Sequence, residues 1–334
     1  MAVRIGINGF GRIGRSVFRI LAGRAERQVV AINDLYENEQ LAYLLKYDSL
    51  MRTFEKEVKS DAEFLYVGDE KIAMTAERDP AKIPWGDLGV ELVIEASGVF
   101  TKREQLEKHL AAGAKKVILT VPAKDEIDAT IVVGVNDDTL KPSDRLISNA
   151  SCTTNCLAPI AKILDDRFGI EEGFLTTVHA YTNDQRLADV PHKDYRRSRA
   201  AAQNIIPTTT GAARAVGKVL PQLEGKLDGL AMRVPVPDGS TIDFVCRLRE
   251  KPSAAEVNAA VREAAATTLR GIVLYSEVPL VSSDIIGNPH SSIFDALSTQ
   301  SQGDGFVKVI AWYDNEWGYS NRVVDLIDRL AAVE

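Results

Sequence analysis

Three cysteines and four histidines are the scarce reactive side chains of this 334-residue chain, and one of each stands where chemistry is feasible. Cys152 lies in Ser148-Asn149-Ala150-Ser151-Cys152-Thr153-Thr154-Asn155, where polar residues crowd the start of a helical pattern. A cysteine at a helix N-terminus meets the positive end of the helix dipole, which favours thiolate. The bland alternative is a buried cysteine used as a small hydrophobe. A thiol nucleophile needs a base within reach, and His179 closes the strand-like run Thr176-Thr177-Val178-His179-Ala180. A lone strand-end histidine is more often structural than catalytic, but the other three have poorer settings. His109 lies in a helical pattern, His192 in a basic stretch and His290 in a loop after Pro289. Cys152 and Cys156 are four apart, which is not a usual zinc spacing, so no metal is expected.

A second signal stands near the N-terminus. Gly9-Phe10-Gly11-Arg12-Ile13-Gly14 matches G-x-G-x-x-G, follows the strand-like Val3-Arg4-Ile5-Gly6-Ile7-Asn8 and opens a helix. The first glycine permits the tight turn, the second lets backbone approach a pyrophosphate, and the third lets helix and strand pack closely. Helix-start N–H groups then face the pyrophosphate. Asp34 stands twenty residues after Gly14, at the end of the next strand pattern. A carboxylate there accepts bonds from the adenosine ribose and repels a 2′-phosphate, so NAD is expected rather than NADP.

The elements that must carry these residues divide into two styles. Residues 3–8, 28–33, 91–96, 116–121 and 145–148 read as strands, and 11–23, 39–46 and 103–112 as helices. That alternation implies a doubly wound, mostly parallel α/β sheet. After residue 150, strand candidates at 173–181, 227–237, 240–249, 269–277 and 305–313 follow one another, with helices at 152–167, 210–220 and 253–267. Successive strands imply an α+β domain with a mostly antiparallel sheet. The expected division is 1–150 for a dinucleotide-binding domain and 151–315 for a catalytic domain. The helical tail 316–334 is expected to pack back on the first. Pro159 is expected to bend the helix at 152–167 after two turns.

Composition excludes several classes. A formal net charge of −7, from 40 Lys and Arg against 47 Asp and Glu, argues against nucleic acid or an anionic membrane as the primary partner. No run of apolar residues is long enough to span a bilayer, and no signal-peptide pattern is visible. Three cysteines are too few for a disulfide scaffold. A reducing compartment is more in keeping, and cytoplasm is the expected location.

Taken together, these motifs resemble the phosphorying type of glyceraldehyde-3-phosphate dehydrogenase along essentially the whole chain. The matching segments are Ile7 to Arg15, Ser148 to Asn155, His179 to Gln185, Ile206 to Ala213, Arg233 to Pro237 and Trp312 to Tyr319. The resemblance implies a Rossmann-type NAD-binding domain and a catalytic domain. It implies Cys152 as nucleophile and His179 as base. For NAD it implies Gly9, Gly11, Arg12 and Ile13 at the pyrophosphate, Asp34 at the ribose and Arg78 and Thr120 near the adenine side. Asn315 would hold the nicotinamide amide. Ser151, Thr153, Thr210 and Gly211 resemble a pocket for attacking inorganic phosphate. Arg197 is similar to an arginine there, with Arg196 and Arg199 close enough to leave the register open. Thr182 and Arg233 resemble the pocket for the substrate's own phosphate. The segment 181–203 resembles a loop lying against a neighbouring subunit, which implies a homotetramer. Ser97 and Val121 depart from the family's usual threonine and alanine, and the segment after Asp48 lacks the family's usual His/Tyr-Gly pair.

The implied reaction converts glyceraldehyde 3-phosphate, inorganic phosphate and NAD to 1,3-bisphosphoglycerate, in glycolysis or gluconeogenesis. The nearest alternative is erythrose-4-phosphate dehydrogenase, in which the Tyr-Thr after the histidine and the Thr-Gly-Ala-Ala segment are replaced; Tyr181-Thr182 and Thr210 to Ala213 are kept here. A non-catalytic dinucleotide- or RNA-binding regulator is the alternative from a different class. A thiol redox role for Cys152 is compatible as a side property.

Overall fold

The computed structural model describes residues 3–24 and 26–333. The chain divides into two compact units. One comprises the residues up to Ile131, Asp138–Ala150 and those from Ser320 onward; the other comprises Val132–Asp137 and Ser151–Tyr319. Val132–Asp137 goes with the second unit because Gly134 packs closely on Leu269 and Ile272 there.

The strands of the first unit are β1 (Val3–Asn8), β2 (Arg27–Asn33), β3 (Tyr47–Asp48), β4 (Arg52–Thr53), β5 (Val58–Ser60), β6 (Phe64–Val67), β7 (Glu70–Thr75), β8 (Leu92–Glu95), β9 (Lys116–Leu119), β10 (Ala129–Thr130) and β11 (Leu146–Ser148). Its helices include α1 (Arg12–Leu21), α2 (Asn38–Lys46) and α3 (Arg103–Ala111). Nine strands form one sheet in the order β10-β11-β9-β8-β1-β2-β7-β6-β5, with β3 and β4 as a separate ribbon. From β10 to β7 all pairings are parallel. Strands β8 and β9 are buried at every residue, as a parallel sheet covered on both faces requires. Strand β1 lies between β2 and β8, so strand order reverses there and a crevice opens at its carboxyl end. The antiparallel edge β5-β6-β7 has no counterpart in the sequence reading; β5 and β6 are only three and four residues long, too short to show a period.

The second unit contains β12 (Ile170–Ala180), β13 (Ile206–Thr209), β14 (Leu227–Val234), β15 (Ser240–Leu248), β16 (Val273–Ser276), β17 (Ser292–Ser301) and β18 (Phe306–Tyr313). Helices α4 (Cys152–Phe168), α5 (Ala212–Val219), α6 (Ala254–Ala266) and the one-turn α7 (Ser282–Ile285) accompany them. The last helix, α8 (Trp317–Ala332), starts in this unit and continues into residues assigned to the first. The sheet order is β13-β14-β12-β15-β18-β17-β16. It is largely antiparallel, but β12–β14 and β16–β17 run parallel. Alternating burial along β15 and β18 marks one inward face. Strand β17 gives no alternating signal in sequence because Ser292–Ala296 is buried on both sides and the register slips between Asp295 and Gln300.

Helix α4 runs unbroken through Pro159, one of eleven buried residues along it. Packing holds the turn that loses its N–H to the proline. Ser151 caps α4 by accepting from Thr154 N–H at 3.0 Å, and Gly169 ends it at φ +69°.

Candidate active site

In the first unit the glycine loop leaves β1 with three distinct environments. Gly9 has φ +92°, and a Cβ on it would stand 2.5 Å from the Ser97 nitrogen. A Cβ on Gly14 would stand 2.2 Å from the Gly9 carbonyl oxygen, so loop, helix and strand are in backbone contact. Beside Gly11 there is open space, with nothing within 4 Å of a notional Cβ. No side chain caps α1 at Gly11, and no acidic residue occupies its first turn. An uncapped helix start beside an open glycine is a ready anion site, and its room and donors fit the pyrophosphate of NAD. Arg12 and Ile13 form that first turn; the Arg12 guanidinium is paired with Asp48.

Asp34 lies just past β2. Its Oδ2 accepts from Phe10 N–H at 2.7 Å and its Oδ1 from Tyr36 N–H at 3.2 Å, so the carboxylate itself shapes the glycine loop. Both oxygens retain lone pairs for ribose hydroxyls. Thr120 is buried, with its hydroxyl donated to the Glu95 carbonyl at 3.0 Å. Arg78 is exposed beyond β7.

The second unit brings Cys152 and His179 together. The chain enters α4 through Ala150 at φ +53°, a left-handed conformation costing an alanine roughly 1–2 kcal/mol. Cys152 is then the first residue of α4. His179 is the penultimate residue of β12 and is 3% exposed. The Cys152 sulfur and His179 Nε2 are 3.4 Å apart.

The other imidazole nitrogen, Nδ1, is 2.7 Å from the Ala180 carbonyl and 3.0 Å from Arg233 Nη1. These contacts demand opposite roles of Nδ1. The shorter one decides, because Arg233 Nη1 has other acceptors in the Ala180 carbonyl at 3.0 Å and the Thr182 hydroxyl at 3.3 Å. Nδ1–H therefore donates to Ala180, and Nε2 presents a lone pair to the thiol. Burial, followed by the Arg233 charge, holds His179 down to about 3, against the bond to Ala180. Burial pushes the Cys152 thiol up, opposed by the Arg233 charge and by hydrogen bonds at the helix start. The imidazole is therefore neutral, and desolvation opposes the thiolate that the helix start alone favours.

Arg233 Nε is buried without a partner, while Nη1 meets His179, Ala180 and Thr182, so the guanidinium keeps capacity for an anion. Thr182 is joined to it directly. Ser151 and Thr210 lie at neighbouring helix starts. Ser151 Oγ meets Thr154 Oγ1 at 2.7 Å, Thr154 Oγ1 reaches the Ala212 carbonyl at 3.4 Å, and Thr210 Oγ1 accepts from Ala212 N–H at 3.2 Å. Gly211 is exposed with open space beside it. Thr153 points elsewhere: its hydroxyl meets the Tyr313 hydroxyl at 2.8 Å inside the core. Among the three arginines, Arg197 reaches Thr208 Oγ1 at 2.9 Å and the Thr209 carbonyl at 3.2 Å and pairs with Asp184. Arg196 reaches only the Pro207 carbonyl, at 3.4 Å, and Arg199 faces Asp189.

Two residues with roles here escape sequence reasoning. Tyr313 packs edge-on against His179 with ring centroids 5.9 Å apart, and its hydroxyl also meets Thr177 at 2.9 Å. Ser240 Oγ lies 2.6 Å from Asn315 Oδ1. Both are ordinary strand residues in sequence; only the register of β12, β15 and β18 brings them to the site. No group of three or more His, Cys, Asp or Glu placed to hold a metal occurs among the described residues.

This arrangement has close relatives. Residues 3–103 match the family model for the glyceraldehyde 3-phosphate dehydrogenase NAD binding domain, and residues 151–315 that for its C-terminal domain. Glyceraldehyde-3-phosphate dehydrogenase 1 of Bacillus subtilis (strain 168) is 59% identical over 332 residues, covering 99% of each chain. Glyceraldehyde-3-phosphate dehydrogenase of Priestia megaterium is 58% identical over 333 residues, again 99% of each. The enzyme of that name from Streptomyces coelicolor is 57% identical over 329 residues, 98% of each.

Proposed function

The chain belongs to the glyceraldehyde-3-phosphate dehydrogenase family, and we propose that it oxidises glyceraldehyde 3-phosphate with NAD and inorganic phosphate to 1,3-bisphosphoglycerate. The observation that carries the chemistry is the Cys152–His179 pair, 3.4 Å apart, with a neutral imidazole presenting Nε2. The alternatives, erythrose-4-phosphate oxidation and non-catalytic binding, are not favoured by relatives matching at full length.

His179 Nε2 takes the thiol proton as the Cys152 sulfur adds to the aldehyde carbon, and returns it to the carbonyl oxygen to complete a thiohemiacetal. Bound NAD supplies a hydride acceptor for the oxidation of that adduct. His179 takes the hydroxyl proton during the oxidation, leaving a Cys152 thioester and an imidazolium. A phosphate oxygen then attacks the thioester carbon, the C–S bond breaks, and the imidazolium proton returns to the sulfur.

Arg233 and Thr182 are assigned to the substrate phosphate, and Ser151, Thr210, Gly211 and Arg197 to inorganic phosphate. Thr153 supports this pocket through Tyr313 instead of lining it. Gly9, Gly11, Arg12, Ile13 and Asp34 are assigned to the pyrophosphate and ribose of NAD, Thr120 and Arg78 to the adenine side, and Asn315 to the nicotinamide.

A homotetramer is proposed from the resemblance of the 181–203 segment to a loop lying against a neighbouring subunit; this segment and its flank expose Leu187, Tyr195 and Ile205. No helix among the described residues is long and apolar enough to cross a membrane, and the proposed setting is the cytoplasm. The test is a spectrophotometric assay of NAD reduction with and without phosphate. Turnover that needs phosphate supports the reading; none with the aldehyde phosphate rejects it.

A further inference from the structure

The backbone around Asn315 is pinned on both sides, but those backbone contacts do not fix the rotation of its carboxamide. Asp314 accepts from Gly287 N–H at 2.7 Å, Glu316 N–H at 2.9 Å and Trp317 N–H at 2.6 Å. Opposite it, Gly239 has φ +84° and a Cβ there would stand 2.2 Å from the Ser282 carbonyl, so the turn before β15 is pressed against its neighbour. The carboxyls of Asp238 and Asp314 are both buried, and burial first, then the Asp314 charge, pushes Asp238 up to about 9. None of these bonds reaches the Asn315 side chain.

Ser240 does. It is fully buried, its Oγ accepts from Ala180 N–H at 3.1 Å, and it lies 2.6 Å from Asn315 Oδ1. A hydroxyl has one proton to give, and the Asn315 carbonyl oxygen is the side-chain acceptor it meets. A turned-over amide could donate to the remaining lone pair of Ser240 Oγ, but it would take from the buried hydroxyl proton the acceptor it meets. The hydroxyl therefore dictates that Oδ1 faces inward and the amide nitrogen outward. Ala180, on the other side of the same hydroxyl, is the residue whose carbonyl orients His179.

We propose that Ser240 is a positioning residue that fixes the Asn315 carboxamide for the nicotinamide half of NAD, through the bridge Ala180 N–H, Ser240 hydroxyl, Asn315 Oδ1. This rests on the reading of Asn315 as the nicotinamide residue. Its consequence is selective: Ser240 matters to the nicotinamide and not to the rest of the dinucleotide.

Calorimetric titration of the full-length, nucleotide-free protein with NAD and with ADP-ribose, which lacks only the nicotinamide, tests this. Ser240→Ala is expected to weaken NAD binding about tenfold, the scale of one hydrogen bond, and ADP-ribose less than about twofold. Ser240→Thr, which keeps the hydroxyl, and Ser240→Cys, a weaker donor, are expected to fall between wild type and alanine. Equal losses for both ligands make Ser240 a merely structural residue and overturn the proposal, as does no loss for either. If the alanine variant does not fold, the cysteine variant decides by the same ratio. Asn315→Ala separates the two layers: if it leaves the NAD over ADP-ribose preference intact, the reading of Asn315 fails; if it abolishes the preference and Ser240→Ala does not reduce it, the Ser240 proposal alone fails.

Discussion

His109 and His179 are both buried, one in each unit, and they differ in what their ring nitrogens are left to do. At His109, Trp85 Nε1 donates to Nδ1 at 3.0 Å, so Nε2 carries the proton and meets Glu95 at 2.9 Å. Glu95 also accepts from Asn8 at 2.6 Å and from Ser97 N–H at 2.8 Å. Every polar atom of the ring is spent on fixed protein partners. At His179 only Nδ1 is spent, on a backbone carbonyl, and Nε2 looks at a thiol on the partly exposed Cys152. Burial therefore does not separate the proposed base from the structural histidine; an unspent nitrogen aimed at a thiol does.

The harshest way to break this comparison is to remove the reactive atom. Cys152→Ser is expected to abolish phosphate-dependent NAD reduction while the protein stays folded, because a hydroxyl is a far poorer nucleophile at neutral pH. Comparable turnover by the serine variant would move the nucleophile elsewhere, although Cys156 and Cys246 are buried and pushed up by burial, Cys246 to about 12.

Removing the unspent nitrogen comes next. His179→Asn is expected to lower kcat by roughly 10²–10⁴, the usual worth of a positioned base. A pre-steady-state measurement of NAD reduction that leaves the first turnover unslowed would show that Nε2 does not handle the proton.

Arg233→Leu sharpens the comparison, since that arginine has no analogue around His109. Loss of a charge-assisted bond to phosphate, about 1.5–3 kcal/mol, is expected to cost tenfold or more in kcat/KM for glyceraldehyde 3-phosphate. Unphosphorylated glyceraldehyde should lose much less. Equal losses on both aldehydes would make Arg233 a support for His179 only.

His109→Leu is the opposite arm. It leaves the Trp85 N–H without an acceptor and removes one donor from Glu95, at roughly 1–3 kcal/mol. Thermal unfolding should come earlier while turnover at saturating NAD is unchanged. A variant with full stability and reduced turnover would reverse the roles assigned to the two histidines.

How much of this was legible in sequence follows from how each part is built. The cofactor loop is made of consecutive residues whose conformations are local, so Gly9, Gly11, Gly14 and the acid after the second strand announce themselves. Cys152 is legible for the same reason, as a residue at a helix start. The protonation state of the pair was not legible, because it depends on burial and on Arg233, which arrives from β14 beside β12. The family resemblance puts Thr153 in an anion pocket, but a helix turns about 100° per residue, and one step past Cys152 the Thr153 hydroxyl meets Tyr313. Ser240 was invisible because its role exists only once three strands are in register.

The smallest effect concerns acid stability and separates a neutral His179 from an ion-paired one. Its value is about 3 in the folded protein against 6.5 ordinarily, so between those limits the unfolded chain binds a proton that the folded chain refuses. Stability must then rise with pH across this window, and be lost as pH falls below about 6.5. The contribution is at most about 1.4 kcal/mol per pH unit for one proton. Asparagine in its place cannot titrate, so His179→Asn should show a shallower decline in urea-unfolding free energy from pH 6.5 to 4.5 than wild type. An imidazolium held by a thiolate would do the reverse, since its raised value would make the wild type gain relative stability on acidification. Parallel stability curves for the two proteins would mean that His179 titrates alike folded and unfolded, and the neutral-base assignment would fall.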